Sequence, residues 1–162
     1  METSRITQKL TSRFVAGLTL EDGLRVCAQL KAVRILTSLD YLGENVHTLA
    51  EADQAREAYL AALRRIAAAH LETTVSIKLT ALGLDLSEDA ARQNAAALVA
   101  MAKETGSRIE MDMEASEYPD RTLAILREMH ATAGPVRAVI QAYLYRSAAD
   151  IDQLCAEAIP VR

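Results

Sequence analysis

The sequence predicts an α/β protein built on a parallel sheet, and three observations carry that expectation. Short aliphatic and β-branched runs alternate with long helical patterns four times over. Most of the helical patterns open on a capping residue, and they close at a turn or breaker signal. The apolar set is aliphatic, with five Tyr, one Phe and no Trp, which suits helices packed on a Val/Ile/Leu sheet and argues against a small aromatic-rich sandwich. Such alternation implies right-handed crossovers and a sheet covered by helices. Two architectures satisfy it: an open doubly wound sheet, or part of a β/α barrel of TIM type. A whole barrel takes about 250 residues. A chain of 162 residues therefore predicts an incomplete one if the sheet belongs to a barrel.

The elements follow in order. Residues 1–31 are expected as a helical arm, weakly patterned up to Phe14-Val15-Ala16-Gly17 and helical from Thr19 as N-cap to about Leu30; residues 32–162 hold the βα units. Val33 to Leu39 predicts strand one, ended by Asp40. Thr48 with Glu51 three residues on forms a capping box for a long helix reaching about Ala69. Thr73 to Leu79 predicts strand two, and Ser87 caps a second long helix that Gly106 ends. Ser107 to Met113 is strand three, with a helix from Pro119. Ala133-Gly134 then returns the chain to strand four, Val136 to Ala142. Ser147 and Asp150 read as another acidic N-terminal box, opening a helix to about Glu157, and Ile159 to Arg162 begins a fifth strand. The prolines, Pro119, Pro135 and Pro160, each stand where an element should begin, and no repeat or linker divides the chain. One domain over 1–162 is expected, with 51% hydrophobic content to fill a single core.

Composition excludes several functions. The formal net charge is −4 with both signs interspersed, so no Lys/Arg run offers a nucleic-acid footprint. Cys27 and Cys155 are far apart and are expected as reduced thiols, with Cys27 in a helix core. His47, His70 and His130 lack a second histidine at ligand spacing, and no metal is expected. Neither a Gly-rich phosphate loop nor a nucleophile elbow is present. With no basic n-region before an apolar stretch and no apolar run near the roughly 20 residues that span a bilayer, the expectation is a soluble cytoplasmic protein, with peripheral membrane contact left open.

In either architecture chemistry gathers outside the carboxyl ends of the strands. Strand one delivers Asp40 there, strand two Lys78, strand three Asp112 and Glu114, and strand four Gln141 with Tyr143 and Tyr145 after it. Lys78 between Ile77 and Leu79 needs an anion, because burying an unpaired ammonium costs several kcal/mol. Asp112 or Asp40 would supply it structurally, a substrate carboxylate or phosphate functionally. Asp112 stands between Met111 and Met113 and points one way from an apolar strand. Gln141 offers both a donor and an acceptor, suited to the edge of a heterocycle or to a satisfied core amide.

Five segments in order resemble the proline dehydrogenase family, including the corresponding domain of bifunctional proline-utilisation proteins. They are Phe14-Val15-Ala16-Gly17; Leu39-Asp40-Tyr41-Leu42-Gly43-Glu44; Val75-Ser76-Ile77-Lys78-Leu79-Thr80 with Gly83-Leu84-Asp85; Ile109-Glu110-Met111-Asp112-Met113-Glu114; and Val139-Ile140-Gln141-Ala142-Tyr143-Leu144. The resemblance implies a distorted β/α barrel holding FAD at its carboxyl-end mouth, oxidising L-proline to 1-pyrroline-5-carboxylate and passing electrons to a membrane quinone. It implies that Lys78 binds the proline carboxylate, that Asp112 is an active-site carboxylate orienting nearby cations, that Met113 and Gln141 touch the flavin, and that Arg162 is an active-site arginine beside the flavin ring.

The family pattern continues past the position of Arg162 with a Lys-Gly-Ala-Tyr segment, further FAD-binding strands and a helix carrying paired arginines, so the resemblance covers the N-terminal half of a barrel. A half barrel by itself is expected to be weak or inactive, with the edges of strands one and four unpaired and self-association through them. The alternative reading is an inactive half barrel acting as an oligomerising or interaction module.

Overall fold

The computed structural model describes residues 15–41, 43, 46–132 and 134–162. The expected arm over 1–14 with Phe14, and the positions Leu42, Glu44 and Ala133, lie outside the described residues. Helix α1 (Leu20–Ala32) leads into β1 (Thr37–Asp40), followed by α2 (Leu49–Ala68), β2 (Thr73–Ile77), α3 (Glu88–Thr105), β3 (Ile109–Asp112), α4 (Pro119–Ala131), β4 (Val136–Val139) and α5 (Ser147–Ala156).

The four strands form one parallel sheet in the order β1-β2-β3-β4. With right-handed crossovers, an order that never reverses stacks every helix on the same face, whereas a doubly wound sheet reverses to cover both. The sheet is therefore an arc of a β/α barrel. Its helix side is aliphatic: Val75, Ile77, Ile109, Met111, Val136 and Ala138 are at most 2% exposed and pack with Leu63, Ile66, Leu98 and Leu126 from the helices. Ala52, Ala91 and Ala95 have no exposed surface, and these small side chains permit the close packing of α2 on α3.

The caps behave as local chemistry predicts. Thr19 accepts from the Asp22 amide, the Thr48/Glu51 box closes reciprocally, and Ser87 accepts from the Ala90 amide. Gly106 ends α3 in the left-handed conformation at φ 69°. Three other helices end the same way without glycine, at Arg34 (φ 63°), His70 (φ 51°) and Ala158 (φ 57°). In each, the following amide bonds back to the helix: Ile35 to Leu30, Leu71 to Ile66 and Ile159 to Leu154. A left-handed residue with a Cβ costs about 1–2 kcal/mol. Ala158→Gly is accordingly expected to raise the unfolding free energy by about 0.5–1 kcal/mol, seen as a higher denaturant midpoint at unchanged slope. Gly134 is required for a different reason, since a Cβ there would meet Val99 Cγ1 at 2.5 Å and the Met129 carbonyl oxygen at 2.7 Å.

Several expectations need correction. Strand one begins at Thr37, because Val33 and Arg34 are consumed by the turn that ends α1, leaving Val33, Ile35 and Leu36 exposed. Strand two ends at Ile77, strand three is confined to Ile109–Asp112, and strand four ends at Val139. Ser147 and Asp150 make no capping box: Arg146 holds the N-cap position without a side-chain cap, Ser147 Oγ donates to the Gln141 carbonyl at 2.6 Å, and Asp150 accepts from Arg146 Nε at 2.7 Å. Nor is the outer edge of β4 unpaired. Pro160 and Arg162 bond to Ala138 on both sides, at 2.9 and 2.8 Å, and Ile140 donates to the Arg162 carbonyl at 3.0 Å, the start of the expected fifth strand. Among the described residues the other edge of β1 has no strand beside it. Cys27 is buried in α1 and Cys155 is exposed, both as free thiols.

Candidate active site

The face of the sheet turned away from the helices is polar. Strand alternation places Ser38 and Asp40, Thr74 and Ser76, Glu110 and Asp112, and Arg137 on it, with Lys78 just past β2 and Arg162 beside β4. Barrel interiors are normally filled by branched aliphatic side chains. Here the same positions carry charges, and those charges are ordered.

Lys78 Nζ lies 3.1 Å from Asp40 Oδ2 and 3.3 Å from Asp112 Oδ2. Asp112 Oδ1 accepts from Ser76 Oγ at 2.6 Å and faces Arg162 at 3.5 Å. Arg162 also pairs with Glu110, and Glu110 with Arg137. The result is one chain of ion pairs, Asp40–Lys78–Asp112–Arg162–Glu110–Arg137, in which three carboxylates alternate with three cations.

Burial opposes charge on Lys78, but the hydrogen bond and charge of Asp40, then Asp112, outweigh it and raise the ammonium above the usual lysine range. Burial likewise opposes charge on Glu110, yet the Arg137 hydrogen bond, the Thr74 hydroxyl and the charges of Arg137 and Arg162 hold its carboxyl below the ordinary value. Both groups are ionised at neutral pH.

The sequence-predicted residues fall as follows. Lys78 and Asp112 meet directly, and Arg162 joins them. Gln141 stands at the same rim, its Nε2 donating to the Met113 and Glu114 carbonyls at 3.3 Å each, so the amide is oriented by the end of β3. Met113 contributes that carbonyl, while its side chain is 7% exposed and belongs to the aliphatic core rather than to the ion-pair chain. Glu114 accepts from the Thr80 amide at 3.2 Å and from the Thr80 hydroxyl, tying the segment after β2 to the end of β3. Tyr143 and Tyr145 are exposed beyond Gln141.

Four participants escaped the sequence reading. Glu110 and Arg137 stand between apolar neighbours on the same strand parity as the candidates, so the period-2 rule applied to Asp112 would have found them. Ser76 is two residues before Lys78 and shares its face. Tyr59 has no local signal: it comes from the middle of α2, is 1% exposed, packs edge-on against Tyr41 at 5.9 Å and donates weakly to the Tyr41 carbonyl at 3.4 Å. Burial, then the charges of Asp40, Asp112 and Glu114, drive its hydroxyl far above the usual tyrosine range and keep it protonated beneath the site. A separate groove of about 560 Å³ opens near the amino ends of the strands, lined by Thr73, Ser107 and Arg108 and reaching Arg137 and Arg162. It lies at the end where β/α barrels build stability rather than chemistry, so the rim bearing Lys78 is the better candidate site.

The proline dehydrogenase family model matches residues 24–160. The chain belongs to the proline dehydrogenase family. Proline dehydrogenase 1 of Bacillus subtilis (strain 168) is 37% identical over 142 residues, covering 88% of this chain and 47% of that protein. Proline dehydrogenase of Deinococcus radiodurans is 34% identical over 146 residues, covering 87% of this chain and 47% of that protein. This member of the family thus spans about half the length of the curated relatives it matches. Among solved structures, proline utilization A (PutA) from Bdellovibrio bacteriovorus inactivated by N-propargylglycine superposes with a TM-score of 0.82 at 21% identity, covering 95% of this chain and 20% of that one, a likeness of fold. Among the described residues no helix is long and apolar enough to cross a membrane.

Proposed function

We propose that this chain forms the proline-binding half of a proline dehydrogenase site, in which Lys78 receives the substrate carboxylate. The observation that carries the reading is Lys78, held at the rim between Asp40 and Asp112. Lys78 stands between two described carboxylates, with the Arg162 guanidinium on the far side of Asp112 and Glu114 a third carboxylate at the same rim. A zwitterion such as L-proline suits that arrangement, its carboxylate meeting Lys78 and its ring ammonium the carboxylates around it. Of the two carboxylates described beside Lys78, Asp40 is the more exposed, at 31% against 16% for Asp112. An incoming carboxylate therefore competes first with Asp40, while Asp112, fixed by Ser76, stays to orient the ammonium.

The donor set suits a flavin. Gln141 presents an amide oriented by two carbonyls, and no described residue donates to its Oε1, leaving that atom for the edge of a heterocycle. Arg162 offers a fixed guanidinium one strand away, where a cation favours an electron-rich reduced ring. FAD, if held there, would supply the two-electron acceptor for the oxidation of L-proline to 1-pyrroline-5-carboxylate by hydride transfer. This chain's residues bind and orient the substrate, with Asp112 and Arg162 held as active-site groups, and Gln141 and the Met113 backbone toward the flavin. Reoxidation by a quinone places a cytoplasmic protein in peripheral contact with a membrane.

The deciding experiment adds L-proline anaerobically to the protein reconstituted with FAD and follows the visible flavin absorbance. Slow bleaching by L-proline is expected, in keeping with a weakly active half barrel; a flavin that stays oxidised refutes the reading. Within that assay Ser76→Ala, which removes the 2.6 Å bond to Asp112, should lower kcat/KM about three- to tenfold, on the order of 1 kcal/mol, with the unfolding midpoint nearly unchanged.

A second reading, an association module, is favoured by the β1 edge and by Leu36, 75% exposed beside it. It calls for a concentration-dependent multimer in sedimentation, abolished when Leu36→Lys puts a charge at that edge.

A further inference from the structure

Glu110 stands between two arginines that depend on it unequally. It is fully buried, with Oε1 taken by Arg137 and by Thr74 Oγ1 at 2.8 Å, and Oε2 by Arg162 and by Ser38 Oγ at 3.2 Å. Arg137 has no other carboxylate among the described residues, and its Nε is buried without a partner. Arg162 has two, Glu110 through one nitrogen and Asp112 at 3.5 Å through the other. The backbone of Arg162 is fixed by the short bridge to β4, and its side chain is 42% exposed. A long side chain so placed samples many rotamers unless something holds its head group. The closer of its two carboxylates is Glu110.

We infer that Glu110 is a positioning residue: it anchors the Arg162 guanidinium against the middle of β3 and so leaves Asp112 available to Lys78. The inference rests on the reading above that Arg162 serves the oxidation site. Without the Glu110 charge, Arg162 keeps, among the described carboxylates, only the 3.5 Å contact to Asp112, so its guanidinium averages over rotamers and reaches for Asp112 intermittently. Asp112 is then drawn from Lys78, and one loss disturbs both the cation at the flavin and the group that orients the substrate's counter-charge.

A purely structural role, as partner to Arg137, predicts something different, and a double variant separates the two. Glu110→Gln alone strands both arginines and lowers the thermal midpoint under either account. Adding Arg137→Gln removes the arginine that has no other carboxylate, so the Glu110→Gln/Arg137→Gln protein should recover most of the lost midpoint. If Glu110 positions Arg162, kcat nevertheless stays about ten- to hundredfold below that of the unmodified protein, as misplacement by about 1 Å can produce. The guanidinium ¹⁵N signals of Arg162, assigned by their loss in Arg162→Lys, should then change from restricted to freely averaged. Recovery of kcat together with stability, or an Arg162 signal that stays restricted, overturns the inference. Should the double variant not fold, Glu110→Asp decides in its place: it keeps the charge but withdraws it by one methylene, so a lowered kcat with a freed Arg162 upholds the anchor and an unchanged protein overturns it. In a protein that oxidises no proline the functional reading falls separately, and the Arg162 signals alone decide. Restricted signals in the unmodified protein that become averaged in the double variant uphold the anchor; signals restricted in both overturn it.

Discussion

Lys78→Met lowers kcat/KM for L-proline about hundredfold, roughly 2.8 kcal/mol at 1.4 kcal/mol per decade, while flavin remains bound. The magnitude follows from replacing a charge-assisted contact to a carboxylate by an apolar side chain of similar length. The loss should appear chiefly in KM, because Lys78 holds the substrate before and during oxidation alike. Titrating the oxidised flavin of the variant with L-proline under anaerobic conditions measures it, and an unchanged proline affinity returns Lys78 to the role of a structural ion pair. Stability must be checked in parallel, since the substitution leaves Asp40 and Asp112 facing each other without their shared cation. The sign of the pH effect is fixed by the raised pKa of Lys78. Its contribution is complete below the unfolded lysine value and is lost only as pH rises through the folded value. The difference in midpoint between the two proteins should therefore be constant through neutral pH and close at strongly alkaline pH.

Glu110→Ala is expected to cost about 3–5 kcal/mol of stability, the range for removing one partner of a buried ion pair and leaving the other charge uncompensated. Glu110 has no exposed side-chain surface, and two arginines converge on it. Its folded pKa is depressed, so its stabilisation is fully present above the unfolded value near 4.5 and is lost as pH falls through the folded one. The gap in thermal midpoint between the unmodified protein and the variant should therefore be widest near neutrality and narrow on acidification below about pH 4.5. A gap that is flat from neutral to acid pH would show that the Glu110 charge contributes nothing to the fold.

Both expectations concern the inner face of the sheet, the part of the molecule that the sequence disclosed least. Lys78, Asp112 and Gln141 were legible because each interrupts or ends an aliphatic run, and a polar residue in such a place requires a reason. Their partners were less so. Glu110 and Arg137 obey the same alternation but sit one step deeper, where a branched aliphatic side chain is the usual occupant, and Tyr59 reaches the site from a helix whose pattern reads as ordinary core. The strands are shorter than the aliphatic runs from Val33, to Leu79 and to Ala142, because β-branched and aliphatic residues also furnish the turns that flank a short strand.

What the sequence determined by itself was whatever chemistry closes within a few residues: the caps at Thr19, Thr48 and Ser87, the left-handed stop at Gly106, the order of strands and helices, and the polar residues delivered to the strand ends. What only the tertiary structure decided was which of those polar residues touch. The alternating chain from Asp40 to Arg137 joins side chains from five neighbouring strand positions, and the fifth-strand residues of Pro160–Arg162 cover the edge of β4 that the sequence left open. Those contacts depend on register between segments tens of residues apart, where a slip of one residue turns every side chain to the opposite face. No local pattern records that register; the packing of α2, α3 and α4 against the other side of the sheet sets it.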